Sequence, residues 1–341
     1  MDYYSKQNFG CRIRQFTHRG HDLLAMENSL VRIVLLLDKG GDIIEFVYKP
    51  GDIDFFWKNE NGLNVAANHI ASAAQATGAY FDHYPGGWQE ILPGGGPMNY
   101  LGAEVGLHGE ISLRPWQFTV EEDSSQQICV LLTAKTQRFP FAVKKRITIK
   151  EGSARVFFEE ELLNEGMQPI EYIWGQHPCF GFPFLEPGCI IHIPAKKMMT
   201  SPGFCTGNII FQPGFTTDWP FSGKGGEKIV NVQEKNAQIT GLYHFSELSE
   251  GTLSIYSKNR KIGFCLEWDI AVYPYVTSWQ DYNGYMDYPW YGRGYNVTLE
   301  LWNTPTDNFE TAKKIAPIPQ LGPGESISTS FGAAVLTDER R

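Results

Sequence analysis

The chain is short of charge, and what it has is unevenly signed. Charged residues make up 20% of its 341 positions, below the usual ~25%. Acids outnumber bases by 38 to 29, a formal net charge of −9. The one tight basic group is Lys144, Lys145 and Arg146; the basic stripe that grips a phosphate backbone is missing. No nucleic-acid partner and no anionic membrane surface is therefore expected. No apolar run approaches the ~18 residues of a transmembrane helix. The N-terminal Met-Asp-Tyr-Tyr-Ser-Lys has neither the basic start nor the apolar stretch of a signal peptide. Six cysteines, at 11, 129, 179, 189, 205 and 265, form no C-x-x-C. They read as reduced, mostly buried residues of a cytoplasmic protein.

Several catalytic templates are also missing. There is no G-x-S-x-G, no P-loop, no helix-opening G-x-G-x-x-G and no H-E-x-x-H. His18 and His21 lack the further ligands of a zinc site. Asp281, Asn283 and Asp287 lack the terminal Glu of a calcium loop. No metal is expected.

What is present points to strands. Aromatics reach 14%, with 35 Gly and 20 Pro, a mixture typical of all-β proteins. Phe141, Val143, Ile147 and Ile149 alternate up to Glu151-Gly152-Ser153, after which Val156, Phe158 and Leu162 resume the period. The pattern predicts two long antiparallel strands and a tight turn. Val31 to Leu37, the turn Lys39-Gly40-Gly41-Asp42, and Ile43 to Tyr48 predict a second hairpin. Further strands are expected at 127–133, 253–256, 263–267, 297–301 and 326–331. With no long capped helical period, no repeat and no linker, residues 1–341 read as one β domain.

Three segments are too rich in Gly, Pro and aromatics for ordinary turns: 86–97, 174–187 and 278–296. The last holds Trp279, Tyr282, Tyr285, Tyr288, Trp290, Tyr291 and Tyr295. Rings beside Asn, Gln and Asp suit a sugar, which offers C–H faces and hydroxyls; they equally suit the packed rim of a sheet. His177 ends a strand, and Pro178 fixes its exit direction. His108 precedes Gly109, which permits close approach. Each is either a structural imidazole or a ligand-facing one. His18, His21, His192 and His244 read as structural. Glu300, inside an apolar strand, faces either solvent or a cavity, and Glu267 shares that setting.

Taken in order, these residues resemble the galactose mutarotase (aldose 1-epimerase) family. Leu107-His108-Gly109 resembles its Leu-His-Gly, and His177-Pro178-Cys179-Phe180 its His-Pro-Tyr-Phe, with Cys179 for Tyr. Gln280 is similar to its substrate-binding Gln. Leu299-Glu300 resembles its Leu-Glu, and Pro323-Gly324-Glu325 the turn before its last strand. Asn68-His69-Ile70-Ala71 is the nearest stretch to the family's Asn-Arg. The segment 86–93, with His108-Gly109-Glu110 and Arg114, is closer to divergent branches that include hexose-6-phosphate epimerases.

The resemblance implies a large antiparallel β-sandwich and an isomerase that interconverts α and β anomers. Glu300 is then the base and His177 the acid, the carboxylate ionised near pKa ~4 and the imidazole raised by it. His108, Gln280 and Arg114 would hold hydroxyls, with Gln89, Glu90 and Trp88 as further wall. Such chemistry needs no cofactor, and a small-molecule sugar is the only partner implied, for a monomer or homodimer. A carbohydrate-binding or sensing domain, and a lyase or glycoside hydrolase on the same scaffold, remain as alternatives.

Overall fold

The computed structural model describes residues 10–64, 77–204, 207–221, 223 and 225–337. Two antiparallel sheets dominate it, of thirteen and eight strands. The smaller runs in the order Ile190–His192, Thr252–Ser257, Ile262–Trp268, Ser326–Thr337, Arg155–Asn164, Phe141–Lys150, Gln127–Lys135, Gln117–Asp123. At the middle of the larger lie Asp42–Tyr48, Trp88–Ile91, Gly175–Phe180, Tyr295–Thr298, Tyr275–Tyr282 and Ile239–Ser246. Helix is confined, among the described residues, to Gly78–Phe81, Gly226–Val230, Phe309–Ile315 and single turns. None is long and apolar enough to cross a membrane.

Both expected hairpins form. Phe141 pairs Asn164, and Ile149 pairs Val156; Val31 pairs Tyr48. Gly40, at φ +74°, lets the second turn pass close to the Ser112 carbonyl, where a Cβ would collide. The expected strand over 297–301 is split at Leu299 into Tyr295–Thr298 and Glu300–Trp302. The neighbouring strand carries Pro178, which has no N–H to give the ladder. Leu299 N–H still donates to the Pro178 carbonyl at 3.2 Å.

The sheets pack face to face through their alternate residues. Val130, Ile147 and Phe158 from the smaller sheet meet Trp88, Phe180, Val297 and Leu301 from the larger in one core. The Trp88 ring lies 5.1 Å from Phe158 and 5.7 Å from Phe331. Trp88 is therefore inter-sheet packing and not a sugar wall.

The same face of that strand carries Glu90, which also points inward. Lys145 Nζ of the smaller sheet lies 2.6 Å from Glu90 Oε2 and 2.9 Å from Glu160 Oε1. Trp174 Nε1–H donates to Glu90 Oε1 at 2.8 Å, and Gln176 Nε2 to Glu160 Oε2 at 3.0 Å. Burial and then Glu90 push Glu160 up to about 8, against the pull of Lys145. Burial opposes the Lys145 charge, yet the two carboxylates outweigh it and raise its pKa. The expectation that Glu90 touches substrate is corrected: it belongs to an inter-sheet ion triad.

Removing one member leaves uncompensated charge in the interior. Lys145→Met is expected to lower the unfolding free energy by about 3–5 kcal/mol, read by urea denaturation at pH 7. A loss below about 1 kcal/mol would match a solvated surface pair and contradict this account.

Candidate active site

One face of the larger sheet is spent on the core, and the opposite face builds the site. Along Gly175–Phe180, Gln176 and Phe180 point to the smaller sheet, so His177 and Cys179 point away. Along Tyr295–Trp302 the apolar Val297, Leu299 and Leu301 are core residues. Asn296, Thr298, Glu300 and Trp302 therefore share the outer face. Thr277, opposite Glu300 in register, and Trp279 continue it.

His177 Nε2 and Glu300 Oε1 are 3.5 Å apart, with side chains 6% and 2% exposed. Thr298 Oγ1–H donates to Glu300 Oε1 at 2.5 Å, and Trp302 Nε1–H to Oε2 at 2.8 Å. His108 reaches the pair from a turn, in left-handed conformation at φ +59°. Its N–H donates to the Gly95 carbonyl at 2.5 Å. A side chain at Gly109 would strike the Leu92 carbonyl, so the turn lies hard against the strand end. The His108 ring sits 4.9 Å from His177 and 4.5 Å from Tyr80.

These groups line a cavity of about 170 Å³. Its walls are aromatic: Trp279 stacks on Trp290 at 5.7 Å, and Tyr80 on Tyr84 at 5.0 Å. Burial dominates its electrostatics. It lifts Glu300 to about 8 against two hydrogen bonds that lower it, with Asp307 adding a further upward push. It depresses His177 to about 4 and His108 well below the ordinary imidazole value, the latter aided by His177 and Lys39. An ionised Glu300 beside a protonated His177 was expected from sequence; burial reverses both directions. Both shifts favour the neutral forms, a carboxylic acid beside a neutral imidazole.

The structure thus gathers His108, His177 and Glu300 and leaves the other candidates outside. Gln280 faces the core, where its Nε2 donates to the Ile229 carbonyl at 3.0 Å and its Oε1 accepts from Tyr282. Trp279, one residue earlier, takes the cavity face. Gln89 lies on the outer face opposite His177 in register. Its Nε2 is spent on the Gly86 carbonyl at 2.6 Å and Asp42 at 3.4 Å, and it does not line the cavity. Arg114 donates to Gln137 in a neighbouring depression that shares Tyr80 and Leu107 with the cavity. Glu267 pairs with Arg155 at the surface, which removes it as a rival to Glu300. The stretch Asn68-His69-Ile70-Ala71 lies outside the described residues, as does Cys205; the other five cysteines are free and buried.

Sequence reasoning missed Asp307, Tyr80, Tyr84 and Trp302. Trp302 could have been found by continuing the alternation from Glu300; Asp307 has no local signal. Asp307 is held by Thr306 Oγ1–H at 3.1 Å and lies 3.7 Å from His244 Nε2. His244 in turn contacts Thr277 Oγ1 at 2.9 Å. Among the described residues, no three His, Cys, Asp or Glu side chains converge as a metal's ligands do.

Residues 18–335 match a family described as "Domain of unknown function (DUF4432)". No curated protein matches the chain. Among solved structures it is similar to a "putative aldose 1-epimerase" from Klebsiella pneumoniae at 16% identity and TM-score 0.76, over 96% of this chain and 83% of that one. It is also similar to a galactose mutarotase-like protein from Clostridium acetobutylicum, at 13% identity and TM-score 0.69, over 96% and 99% of the two chains. A galactose mutarotase-like protein from Lactobacillus casei aligns at 14% identity and TM-score 0.61, over 92% and 99%. At such identities the likeness shows the fold, an antiparallel β-sandwich of the mutarotase-like kind.

Because Asp307 raises Glu300, Asp307→Asn is expected to move the Glu300 midpoint below its value of about 8. The check is a carbon-13 NMR titration of side-chain carboxyls, assigned with Glu300→Gln. An unchanged midpoint would show that the two carboxylates do not interact.

Proposed function

From a chain that belongs to the DUF4432 family, whose description assigns no chemistry, we propose an aldose 1-epimerase-like isomerase acting through His177 and Glu300. The observation that carries this reading is the 3.5 Å separation of His177 Nε2 and Glu300 Oε1 at the floor of an aromatic-walled cavity. Aromatic faces stack on sugar C–H surfaces. The floor supplies one proton donor and one proton acceptor side by side.

Interconversion of anomers needs those two groups. The acceptor takes the proton from the anomeric O1 as the donor protonates the ring oxygen O5. The C1–O5 bond breaks and C1=O1 forms. Rotation about C1–C2 turns the other carbonyl face toward the hydroxyl, and both proton transfers run backwards as the ring closes. No electrons are exchanged with a second reagent. Whichever group faces O1, the pair must carry one proton in total. In the resting cavity that proton sits on Glu300, with neutral His177 as acceptor. His108, whose charged form burial disfavours, would hydrogen-bond a hydroxyl.

Two outcomes are expected. Glu300→Gln and His177→Asn should retain sugar binding and lose about 10²–10⁴-fold of anomer exchange, some 3–5 kcal/mol of barrier. Polarimetry and saturation-transfer NMR read exchange; a wild-type protein that binds sugars yet never speeds exchange is a binding domain. The pH profile follows from the pair's own values. Below about 4 His177 gains a proton and no acceptor remains; above about 8 Glu300 loses its proton and no donor remains. Exchange, corrected for the spontaneous rate, should stay level between these limits and fall on both sides. A profile that rises through pH 8 would assign the protons to other groups.

A further inference from the structure

The cavity holding His177 and Glu300 does not end at its own walls. A second chamber of about 370 Å³ adjoins it, and Phe204, Leu242 and Asp307 line both. Apart from Asp307 its lining is uncharged, with hydroxyls at Ser201, Thr306 and Thr311 and the amide of Asn308 interspersed among apolar side chains. Phe204, packed edge-on to Tyr285 at 5.8 Å, adds an aromatic wall at the junction. The chamber's outer residues Pro202, Gly203 and Asn308 are exposed, so the chamber opens to solvent on that side.

Charge narrows what that ligand is. No Lys or Arg lines either chamber among the described residues. Lys39 is committed to Asp42 at 2.5 Å. Arg114 and Arg138 line a further depression, which shares Tyr80 and Leu107 with the first chamber, and there the carboxylates Glu104 and Glu110 balance them. A phosphate or carboxylate brought into the two chambers would meet Asp307 and no counter-charge. Hydroxyls meet acceptors, donors and ring faces.

We propose that the second chamber is a subsite for an uncharged, hydroxyl-bearing unit joined to the reacting sugar. The preferred substrate is then a neutral reducing disaccharide or similarly substituted aldose, and not a sugar phosphate. This rests on the reading that His177 and Glu300 act on a reducing sugar.

The test uses the full chain and measures binding and exchange separately. Glucose, galactose, glucose 6-phosphate, maltose, cellobiose and lactose are titrated by calorimetry, and their anomer exchange is followed by NMR. At least one disaccharide is expected to bind tenfold or more tighter than its component monosaccharides, and glucose 6-phosphate weaker than glucose. Thr311→Trp, which narrows the second chamber, should cut that disaccharide-to-monosaccharide ratio at least fivefold. Tighter binding of the phosphate, or disaccharides no better than monosaccharides, overturns the subsite. Disaccharide preference without exchange of any sugar overturns the epimerase reading and leaves the subsite standing.

Discussion

The ion triad between the sheets constrains more than stability. Lys145 comes from the smaller sheet and Glu90 from the larger, and either left alone in that interior is costly. The strand Trp88–Ile91 consequently has one acceptable facing, with Trp88 and Glu90 inward and Gln89 outward. Its neighbour Gly175–Phe180 is bound to it in fixed register, His177 opposite Gln89. A slip of one residue would unpair the ions and turn the imidazole into the core at the same time. The position of the His177 imidazole is thereby tied to a charge pairing on the far side of the sheet.

Burial then does two jobs with the same residues. The rings of Tyr80, Tyr84, Trp279 and Trp290 form a wall suited to a sugar face, and they also take water away from Glu300 and His177. Loss of solvation disfavours both charges, so the pair settles as carboxylic acid and neutral imidazole. Hydrogen bonds from Thr298 and Trp302 hold the carboxyl in place while tempering that shift. Asp307, carried on the segment just after the strand Glu300–Trp302 and supported by His244, adds a repulsive push from the cavity rim.

Much of this was legible in the chain. Strict alternation from Phe141 to Leu162 specified a hairpin, and the structure pairs those residues as read. Glu300 was legible because Val297, Leu299 and Leu301 had to face inward. Gln280 misled because resemblance placed an amide where the period places the core; Val276, Ser278, Gln280 and Tyr282 share one face. Trp88 and Glu90 misled differently. Glycines and prolines around them suggested a loop, whereas four residues there form a central strand whose partners lie far off in sequence. The proton's location was not legible at all, since the groups that desolvate Glu300 come from positions 80 to 307.

Water that enters a cavity of this kind is held by its floor, and a neutral floor holds it weakly. Ions order their hydration shells strongly; an imidazole and a carboxylic acid hold water by ordinary hydrogen bonds. Emptying the site is correspondingly cheap. A ligand that reproduces a few of those bonds and covers the rings gains from the apolar contact without first stripping a charged shell. A neutral ligand feels no long-range attraction to the site, so its capture depends on shape at contact and responds little to ionic strength.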